Sequence, residues 1–150
     1  MRAPFQVLVV PYRFKTDGKL EYCVLKREPS DRGGYWQWVA GGGEKGETPE
    51  QTARREVHEE TGIASDSALI RLDSMTTVPA TEFGSVWGES VLVVPEYSFG
   101  IQASTGEIKL SSEHTEYRWV DYETARSMLH WDSNRTALLE LNHCIARGSV

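Results

Sequence analysis

The chain has 150 residues with 39% hydrophobic and 25% charged side chains, which indicates one globular domain, residues 1–150, and excludes a disordered protein. Its 16 basic and 22 acidic side chains give a formal net charge of −6, which argues against nucleic-acid polymers and anionic membranes as partners. The sequence has no long apolar run, no secretory signal and only two cysteines, so we expect a reduced protein of the cytoplasm.

Three strands are expected in the first 43 residues. Two apolar segments joined by the turn Asp17-Gly18 predict a β-hairpin over residues 5–26. Turn-forming residues over 28–34 predict a loop, and a short strand is expected over 36–40. The three glycines 41–43 are expected to end that strand, because glycine weakens strands.

The segment that follows has the signals of a helix. Thr48 and Gln51 form the pattern of a capping box, and Pro49 suits the first helical position. Gly62 suits the left-handed conformation that commonly follows a helix. We therefore expect a helix from Pro49 to about residue 60 or 61.

The second half of the chain mixes strand and helix signals. Strand formers dominate three segments, residues 68–78, 86–99 and 116–120. Two helices are expected, over 122–129 with Asp121 as its cap and over 134–146 with Ser133 as its cap. Because strands and helices do not alternate regularly, we expect an α+β fold with helices packed on a mixed β-sheet.

The helix that begins at Pro49 carries three glutamates on one face, Glu56, Glu59 and Glu60. Positions three and four apart are neighbours on a helix, so each such pair of like charges costs roughly 0.2–0.5 kcal/mol. Clustered hard oxygen ligands suit Mg²⁺ or Mn²⁺, although an ordinary solvated helix face is the alternative. Arg55 lies four residues before Glu59 and is expected to pair with that carboxylate and fix its orientation.

The three glutamates belong to a longer motif, residues 41–63. All nine fixed positions of the Nudix box, Gly-x5-Glu-x7-Arg-Glu-U-x-Glu-Glu-x-Gly-U with U a bulky aliphatic residue, are matched by Gly41, Glu47 and Arg55-Glu56-Val57-His58-Glu59-Glu60-Thr61-Gly62-Ile63. With frequencies of about 7% for each named residue, a chance match in such a chain has a probability on the order of one in ten million. The sequence therefore resembles the Nudix hydrolases.

The resemblance implies an α/β/α sandwich in which a mixed β-sheet lies between flanking helices and the box forms a loop, a helix and a loop. It also implies Mg²⁺-dependent hydrolysis of a nucleoside diphosphate linked to another group, with Mn²⁺ as a substitute. Divalent cations are needed between two anionic partners, where they neutralise the phosphates, hold them for in-line attack and acidify a bound water.

The resemblance also assigns roles within the box. The expected metal ligands are Glu56, Glu59, Glu60 and the carbonyl of Gly41. Glu59 is also expected to be catalytic, with Arg55 as the residue that orients it. Glu47 is expected to support the loop, or a metal through water.

Two glutamates near the strand 116–120 compete for a further acidic role. Glu113 is the expected general base or outer metal ligand, because its spacing before Trp119 matches the late acidic residue of the family. Glu116 is the alternative, since strand alternation places the two side chains on different faces unless the chain bends. Arg27 is expected to contact a phosphate of the substrate, or else to be a solvated charge at a strand end.

A C-terminal segment points to a substrate class. Trp131-Asp132-Ser133-Asn134-Arg135 is similar to the end of the dihydroneopterin triphosphate pyrophosphohydrolases of this family, which also hydrolyse deoxynucleoside triphosphates. We therefore expect Trp131, Asn134 and Arg135 to bind substrate, with a merely solvated helix start as the alternative. The expected reaction is cleavage of a nucleoside or pterin triphosphate to the monophosphate and pyrophosphate.

Other functions stay open at this point. A dinucleoside polyphosphate hydrolase would share the tryptophan and glycines that lead into the box, residues 38–43. A non-catalytic Nudix domain that senses a ligand is a further alternative, but it would have no need of three mutually repelling carboxylates. Members of the family commonly form dimers, so a homodimer is also open.

Overall fold

A mixed β-sheet forms the centre of the structure, a computed structural model that describes residues 1–28 and 33–148. Within these residues the sheet has seven strands: β1 (Arg2–Phe14), β2 (Leu20–Arg27), β3 (Tyr35–Gln37), β4 (Val39–Glu44), β5 (Leu69–Pro79), β6 (Val93–Gln102) and β7 (Glu116–Val120). The helices in the same residues are α1 (Pro49–Thr61), α2 (Tyr122–Met128), α3 (Asp132–Ala146) and a short 3₁₀ helix, Ala80–Phe83. None of these helices is long and apolar enough to cross a membrane.

The strand order is β3-β2-β1-β6-β5, with β4 paired to β1 and β7 paired to β2. β1 and β6 are parallel, and every other pairing between these strands is antiparallel. One residue, Trp38, separates β3 from β4, so a single extended segment pairs first with β2 and then with β1. This segment places Gly41 opposite Val7 in β1.

The two faces of the sheet pack against different helices, because side chains alternate along each strand. Val7 of β1 lies in a core cluster with Val57 of α1. Leu8, the next residue, lies in a second cluster with Ala125 of α2 and Leu138 of α3. We call these the α1 face and the α3 face of the sheet. The expected mixed sheet between flanking helices is confirmed.

Helix α1 begins and ends as its local sequence predicts. The Thr48 hydroxyl accepts a hydrogen bond from the Gln51 backbone N–H at 3.2 Å, and the Gln51 side chain accepts one from the Thr48 backbone N–H at 2.9 Å. Pro49 is the first helical residue, and Gly62 follows the helix with a φ of 77°. The capping box satisfies two of the backbone donors that a helix start leaves unpaired, which explains why this prediction is correct.

The expectation that glycines 41–43 end a strand is wrong, because all three lie inside β4. A Cβ on Gly43 would lie 2.3 Å from the ring of Phe5, and one on Gly41 would lie 2.1 Å from the Glu56 carboxyl carbon. The glycines therefore leave room for side chains that pack on the strand, and they do not form a turn.

Two other boundaries differ from the sequence-based expectations. The strand expected over 86–99 begins only at Val93, because the 3₁₀ helix and turns with positive φ at Gly84 and Gly88 precede it. Helix α3 begins at Asp132 and not after Ser133, since the first turn closes on the carbonyl of Trp131. Of the loop expected over 28–34, residues 29–32 lie outside the described residues.

Candidate active site

The carboxylates of α1 lie beside β4, and their burial differs. Glu60 is buried, and the Glu56 side chain is only 13% exposed where it lies against Gly41. The Glu59 side chain is 53% exposed on the outer side of the helix. Helical spacing thus brings the three glutamates to one face, but only Glu59 is free to turn in solvent.

Arg55 connects this face to the loop before α1. Its guanidinium donates to both carboxylate oxygens of Glu47, at 2.8 and 2.9 Å, and to the carbonyl of Gly42 at 2.9 Å. It also donates to Glu56 at 3.0 Å, whereas the expected pairing with Glu59 is longer, at 3.4 Å. The main partner of Arg55 is therefore Glu47, and its contact with Glu59 is secondary.

Glu47 is held as a carboxylate by several donors. Besides Arg55, the Glu44 backbone N–H at 2.8 Å and the Thr52 hydroxyl at 2.9 Å donate to it. The Arg55 hydrogen bonds are the main reason that the pKa of Glu47 is lowered to about 2. The loop between β4 and α1 is thus closed by charged hydrogen bonds, which are stronger than neutral ones.

The position of Glu56 beside β4 raises the pKa of its carboxyl group. The pKa of Glu56 is raised to about 7, and burial is the main cause. The nearby Glu59 and Glu60 also raise this pKa, whereas Arg55 lowers it. A cation among these oxygens would reverse that effect, because it favours the ionised carboxylates. The donor set consists of carboxylates and a backbone carbonyl, which are the ligands that Mg²⁺ prefers. The residues present fit a divalent metal in this respect.

The ligands are not arranged in advance around one point. Within residues 1–28 and 33–148, no group of three or more His, Cys, Asp or Glu side chains is placed to hold a metal ion. The Glu56 carboxylate already accepts a hydrogen bond from Arg55 at 3.0 Å, and the contact of Arg55 with Glu59 is longer, at 3.4 Å. Metal binding would require these side chains to turn, and the exposed Glu59 has the most freedom to do so.

A second segment, residues 111–114, packs against the end of α1. The Ser111 hydroxyl donates to Glu60 at 2.5 Å, and Nδ1 of His114 lies 3.2 Å from the same carboxylate oxygen. Burial and the neighbouring Glu60 raise the pKa of Glu113, while Arg27 lowers it. The structure therefore brings Glu113 beside Glu60 of α1 and Arg27 within electrostatic reach of Glu113, and both residues were singled out in the sequence.

Glu116 lies elsewhere, in β7 opposite Lys26 of β2. Its carboxylate accepts a hydrogen bond from Arg118 at 2.9 Å and is exposed. Of the two glutamates that the sequence left in competition, Glu113 is thus the one beside Glu60.

Two further residues of this region, His114 and Ser111, have little or no distinctive signal in the sequence. His114 is buried, and burial lowers its pKa. Ser111 was not singled out, because a serine in a loop has no distinctive signal. Both contact Glu60 across about 50 residues of sequence, which only the folded chain brings together.

The segment 131–135 lies at the start of α3, which packs on the other face of the sheet. Asn134 is buried, where its side-chain oxygen accepts from the Trp38 backbone N–H at 2.9 Å and its carbonyl accepts from the Trp38 indole N–H at 2.9 Å. These hydrogen bonds join α3 to the sheet and occupy the side-chain oxygen and the backbone carbonyl of Asn134, and the substrate contact expected for its side chain stays a prediction.

Arg135 and Trp131, the other two residues of that segment expected to bind substrate, differ in how far their side chains are occupied by contacts within the protein. The Arg135 guanidinium donates to the carbonyl of Leu129 and to Asp132. The Trp131 ring is 40% exposed and packs edge-on against Tyr35 and His130. Trp131 is thus the member of the segment that presents an aromatic surface to solvent.

Known proteins resemble the chain over most of its length. A NUDIX hydrolase structure from Listeria monocytogenes is 40% identical, covers 97% of each chain and has a TM-score of 0.85. The dihydroneopterin triphosphate diphosphatase of Escherichia coli K12 is 30% identical over 141 residues, which is 91% of either chain. The asymmetrical bis(5'-nucleosyl)-tetraphosphatase of Rattus norvegicus is 30% identical over 121 residues, 81% of this chain and 78% of the rat protein.

A further relative is much longer than this chain. An octanoyltransferase of Myxococcus xanthus is 33% identical over 115 residues, which cover 75% of this chain but only 30% of that protein. The NUDIX domain family model matches residues 4–141 and includes the whole box 41–63. The chain belongs to the Nudix hydrolases, enzymes that act on phosphoanhydride bonds.

Proposed function

We propose that the protein is a Mg²⁺-dependent pyrophosphohydrolase that converts a nucleoside or pterin triphosphate to the monophosphate and pyrophosphate. The observation that carries this proposal is the position of Glu113 beside Glu60 of α1, the helix that also bears Glu56 and Glu59, with Arg27 within electrostatic reach of Glu113. Hydrolysis of a phosphoanhydride needs carboxylates that hold a divalent cation and a base that accepts a proton from the attacking water. The 30% identity to a dihydroneopterin triphosphate diphosphatase supports this substrate class.

The proposed metal ligands are Glu56, Glu59, Glu60 and the carbonyl of Gly41. A Mg²⁺ ion, or Mn²⁺ in its place, would supply positive charge to the phosphate chain and lower the pKa of the attacking water. Arg55 and Glu47 position these ligands, because their hydrogen bonds hold the loop before α1 against β4. This arrangement gives Arg55 a positioning role.

Glu113 is the proposed base. Its raised pKa suits a carboxylate that accepts a proton from water, since a general base works best when its pKa is close to the working pH. Arg27 lies close enough to lower that pKa, so a phosphate bound beside Glu113 would also meet its positive charge. Glu113 would take the proton while Arg27 holds the phosphate.

The bond that breaks is set by where the other end of the substrate is held. Trp131 is the proposed aromatic contact for that end, and Arg135 contributes to the same segment. We propose attack at the α or β phosphorus, so that pyrophosphate leaves intact. Hydrolysis in ¹⁸O-labelled water tests this: label is expected in the monophosphate or pyrophosphate, and labelled orthophosphate released from the terminal position would contradict it.

A second candidate is hydrolysis of a dinucleoside polyphosphate, which the 30% identity to the rat tetraphosphatase favours. A panel of deoxynucleoside triphosphates, dihydroneopterin triphosphate and diadenosine tetraphosphate, each with Mg²⁺, separates the two. Turnover of diadenosine tetraphosphate at least tenfold above all triphosphates would select this second function. We place the enzyme in the cytoplasm, and light scattering would tell whether it is a monomer or a homodimer.

A further inference from the structure

The segment 109–114 is fastened to the C-terminal end of α1. The Lys109 backbone N–H donates to the carbonyl of Thr61 at 2.8 Å, and the Ser111 backbone N–H donates to the carbonyl of Glu60 at 3.3 Å. The last four carbonyl groups of a helix have no partner within it, so this segment satisfies two of them. These backbone bonds hold the side chains of residues 111–114 against Glu60, a proposed metal ligand.

Two side chains of this segment contact the same oxygen of Glu60. Its Oε2 accepts a hydrogen bond from the Ser111 hydroxyl at 2.5 Å and lies 3.2 Å from Nδ1 of His114. An ionised carboxylate only accepts hydrogen bonds, so Nδ1 of the histidine carries the hydrogen in this contact. Oε1 of Glu60 takes part in neither contact, and it is the oxygen left to meet a cation.

The Ser111 hydroxyl also fixes the chain beside Glu113, the proposed base. It accepts a hydrogen bond from the backbone N–H of Glu113 at 3.2 Å while its single hydrogen points to Glu60. One serine side chain therefore connects a proposed metal ligand with the residue proposed to accept the proton. The position of each relative to the other depends on this hydroxyl.

The burial of His114 indicates what its ring contributes. The side chain is 1% exposed, and among the described residues its second ring nitrogen, Nε2, has no hydrogen-bond partner. Buried polar atoms without partners cost stability, and native proteins keep few of them, so packing alone would favour an apolar ring here. A histidine at this place is therefore explained by the contact of Nδ1 with Glu60 and not by packing.

Glu60 differs from the other glutamates of the α1 face in what holds it. The Glu56 carboxylate accepts from the Arg55 guanidinium, whose positive charge opposes a cation, and the Glu59 side chain is 53% exposed. The Glu60 side chain is only 7% exposed, and its contacts with a hydroxyl and an imidazole fix one of its oxygens. Hydrogen bonds of this kind orient a ligating carboxylate and raise metal affinity.

We propose that Ser111 and His114 are positioning residues that hold Glu60 through Oε2, so that its other oxygen is presented to the divalent cation. This inference rests on the proposed function. It assigns to the segment 109–114 a part in metal affinity, in addition to carrying Glu113.

Binding of Mn²⁺ without substrate tests the inference separately from catalysis. Ser111→Ala and His114→Phe each remove one contact with Glu60, whereas Ser111→Thr keeps the hydroxyl. Ser127→Ala and His143→Phe, at exposed positions of α2 and α3, are the matched controls. In titrations that count free Mn²⁺ by electron paramagnetic resonance, the dissociation constant is expected to rise about tenfold or more in Ser111→Ala and His114→Phe. Ser111→Thr should retain most of the affinity, and the controls should match the wild type.

Turnover at varied Mg²⁺ gives a second readout. The rate of His114→Phe is expected to fall most at low Mg²⁺ and to recover as Mg²⁺ rises, because the substitution lowers occupancy of the site and leaves the ligands in place. At saturating Mg²⁺, KM for the triphosphate should equal that of His143→Phe. A defect of the same size at every Mg²⁺ concentration would contradict a role in metal affinity.

Thermal melting without metal separates a positioning role from a structural one. A lower midpoint in Ser111→Ala and His114→Phe, with the Mn²⁺ affinity of the controls, would show that these residues only stabilise the fold and would overturn the inference. An equal loss of Mn²⁺ affinity in Ser111→Thr and Ser111→Ala would also overturn it, as would a wild type that binds no Mn²⁺.

The inference and the proposed function can fail separately. Mg²⁺-dependent turnover of a triphosphate, with unchanged Mn²⁺ affinity in Ser111→Ala and His114→Phe, would overturn the inference alone. The expected losses of Mn²⁺ affinity, in a protein that hydrolyses no triphosphate, would support the inference and overturn the proposed function alone.

Discussion

Arg55 and Glu47 form a bidentate ion pair, with Nε to Oε2 at 2.8 Å and Nη2 to Oε1 at 2.9 Å. The pair spans the loop that joins β4 to α1, and its guanidinium also holds the carbonyl of Gly42. The loop, the strand and the helix that carry the metal-ligand candidates are thereby held in one geometry. Both side chains are about a quarter exposed or less, so solvent screens this ion pair less than one on the open surface.

Glu47→Gln is expected to lower the free energy of unfolding by about 1–2 kcal/mol at pH 7, because it removes charged hydrogen bonds. The pKa of Glu47 is lowered to about 2, and in the unfolded chain a glutamate titrates near ~4.3. The stabilisation is therefore complete above the unfolded value and is lost as the pH falls from there toward 2. Urea unfolding at pH 7 and pH 3 should show a smaller difference from the wild type at pH 3. A difference that does not depend on pH would contradict the ion pair.

Glu59→Gln is expected to lower kcat at least about a hundredfold while the fold stays intact. The substitution keeps the shape of the side chain and removes a charge from the proposed metal-ligand set. Because it relieves repulsion from Glu56 and Glu60, the thermal midpoint without metal should be unchanged or higher. Steady-state kinetics and thermal melting check both points, with Glu123→Gln as the control. Activity near that of the wild type would remove Glu59 from the catalytic site.

Metal removal is expected to abolish activity without unfolding the chain. The two core clusters consist of apolar side chains and contain none of the metal-ligand candidates, so folding does not depend on the ion. Excess EDTA should stop turnover while the circular dichroism spectrum stays the same, and added Mg²⁺ or Mn²⁺ should restore the rate. Hydrolysis that continues in excess chelator would show that the carboxylates of α1 are not the site.

Gly41→Ala is expected to lower kcat by about tenfold or more, with a smaller effect on stability. The new methyl group would lie 2.1 Å from the Glu56 carboxyl carbon, so that carboxylate must move. Only the end of a flexible side chain is displaced, which keeps the stability loss near the roughly 1–3 kcal/mol of modest overpacking. Gly33→Ala, where a Cβ meets nothing within 4 Å, is the matched control. Equal activity of the two variants would argue against a functional role for the Glu56 position.

Glu96→Gln is expected to stabilise the protein at pH 8 and to leave it nearly unchanged at pH 4.5. Burial raises the pKa of Glu96 to about 7, so between the unfolded value and 7 the folded state binds more protons than the unfolded state. Wild-type stability therefore falls through this group as the pH rises across that window. The gain at pH 8 should be on the order of 2 kcal/mol by urea unfolding. A variant that is less stable than the wild type at both pH values would show that Glu96 has a structural partner.

The local sequence by itself determined the helix that carries the chemistry. The capping box of Thr48 and Gln51, with Gly62 after the last turn, involves residues within a few positions of one another. Helix spacing then brings Glu56, Glu59 and Glu60 to one face whatever the rest of the chain does. The family could be identified for the same reason, because its motif is a contiguous stretch of 23 residues, 41–63.

Tertiary structure alone decided which distant groups join that helix. Glu113 lies beside Glu60 because residues 111–114 pack against the end of α1, while Glu116 remains in β7 with Arg118. Asn134 joins α3 to Trp38 through its side-chain oxygen and its backbone carbonyl.

Strand pairing decided the rest, since a period of two residues tells which side chains share a face but not which strands are neighbours. The glycines of β4 lie within a strand because β4 pairs with β1, and the absence of side chains there leaves space for Phe5 and Glu56. Gln6 and Glu96 are 90 positions apart in the sequence and become adjacent only when β1 and β6 pair in parallel. Contacts between distant residues depend on the packing of the whole sheet, and local sequence carries no record of that packing.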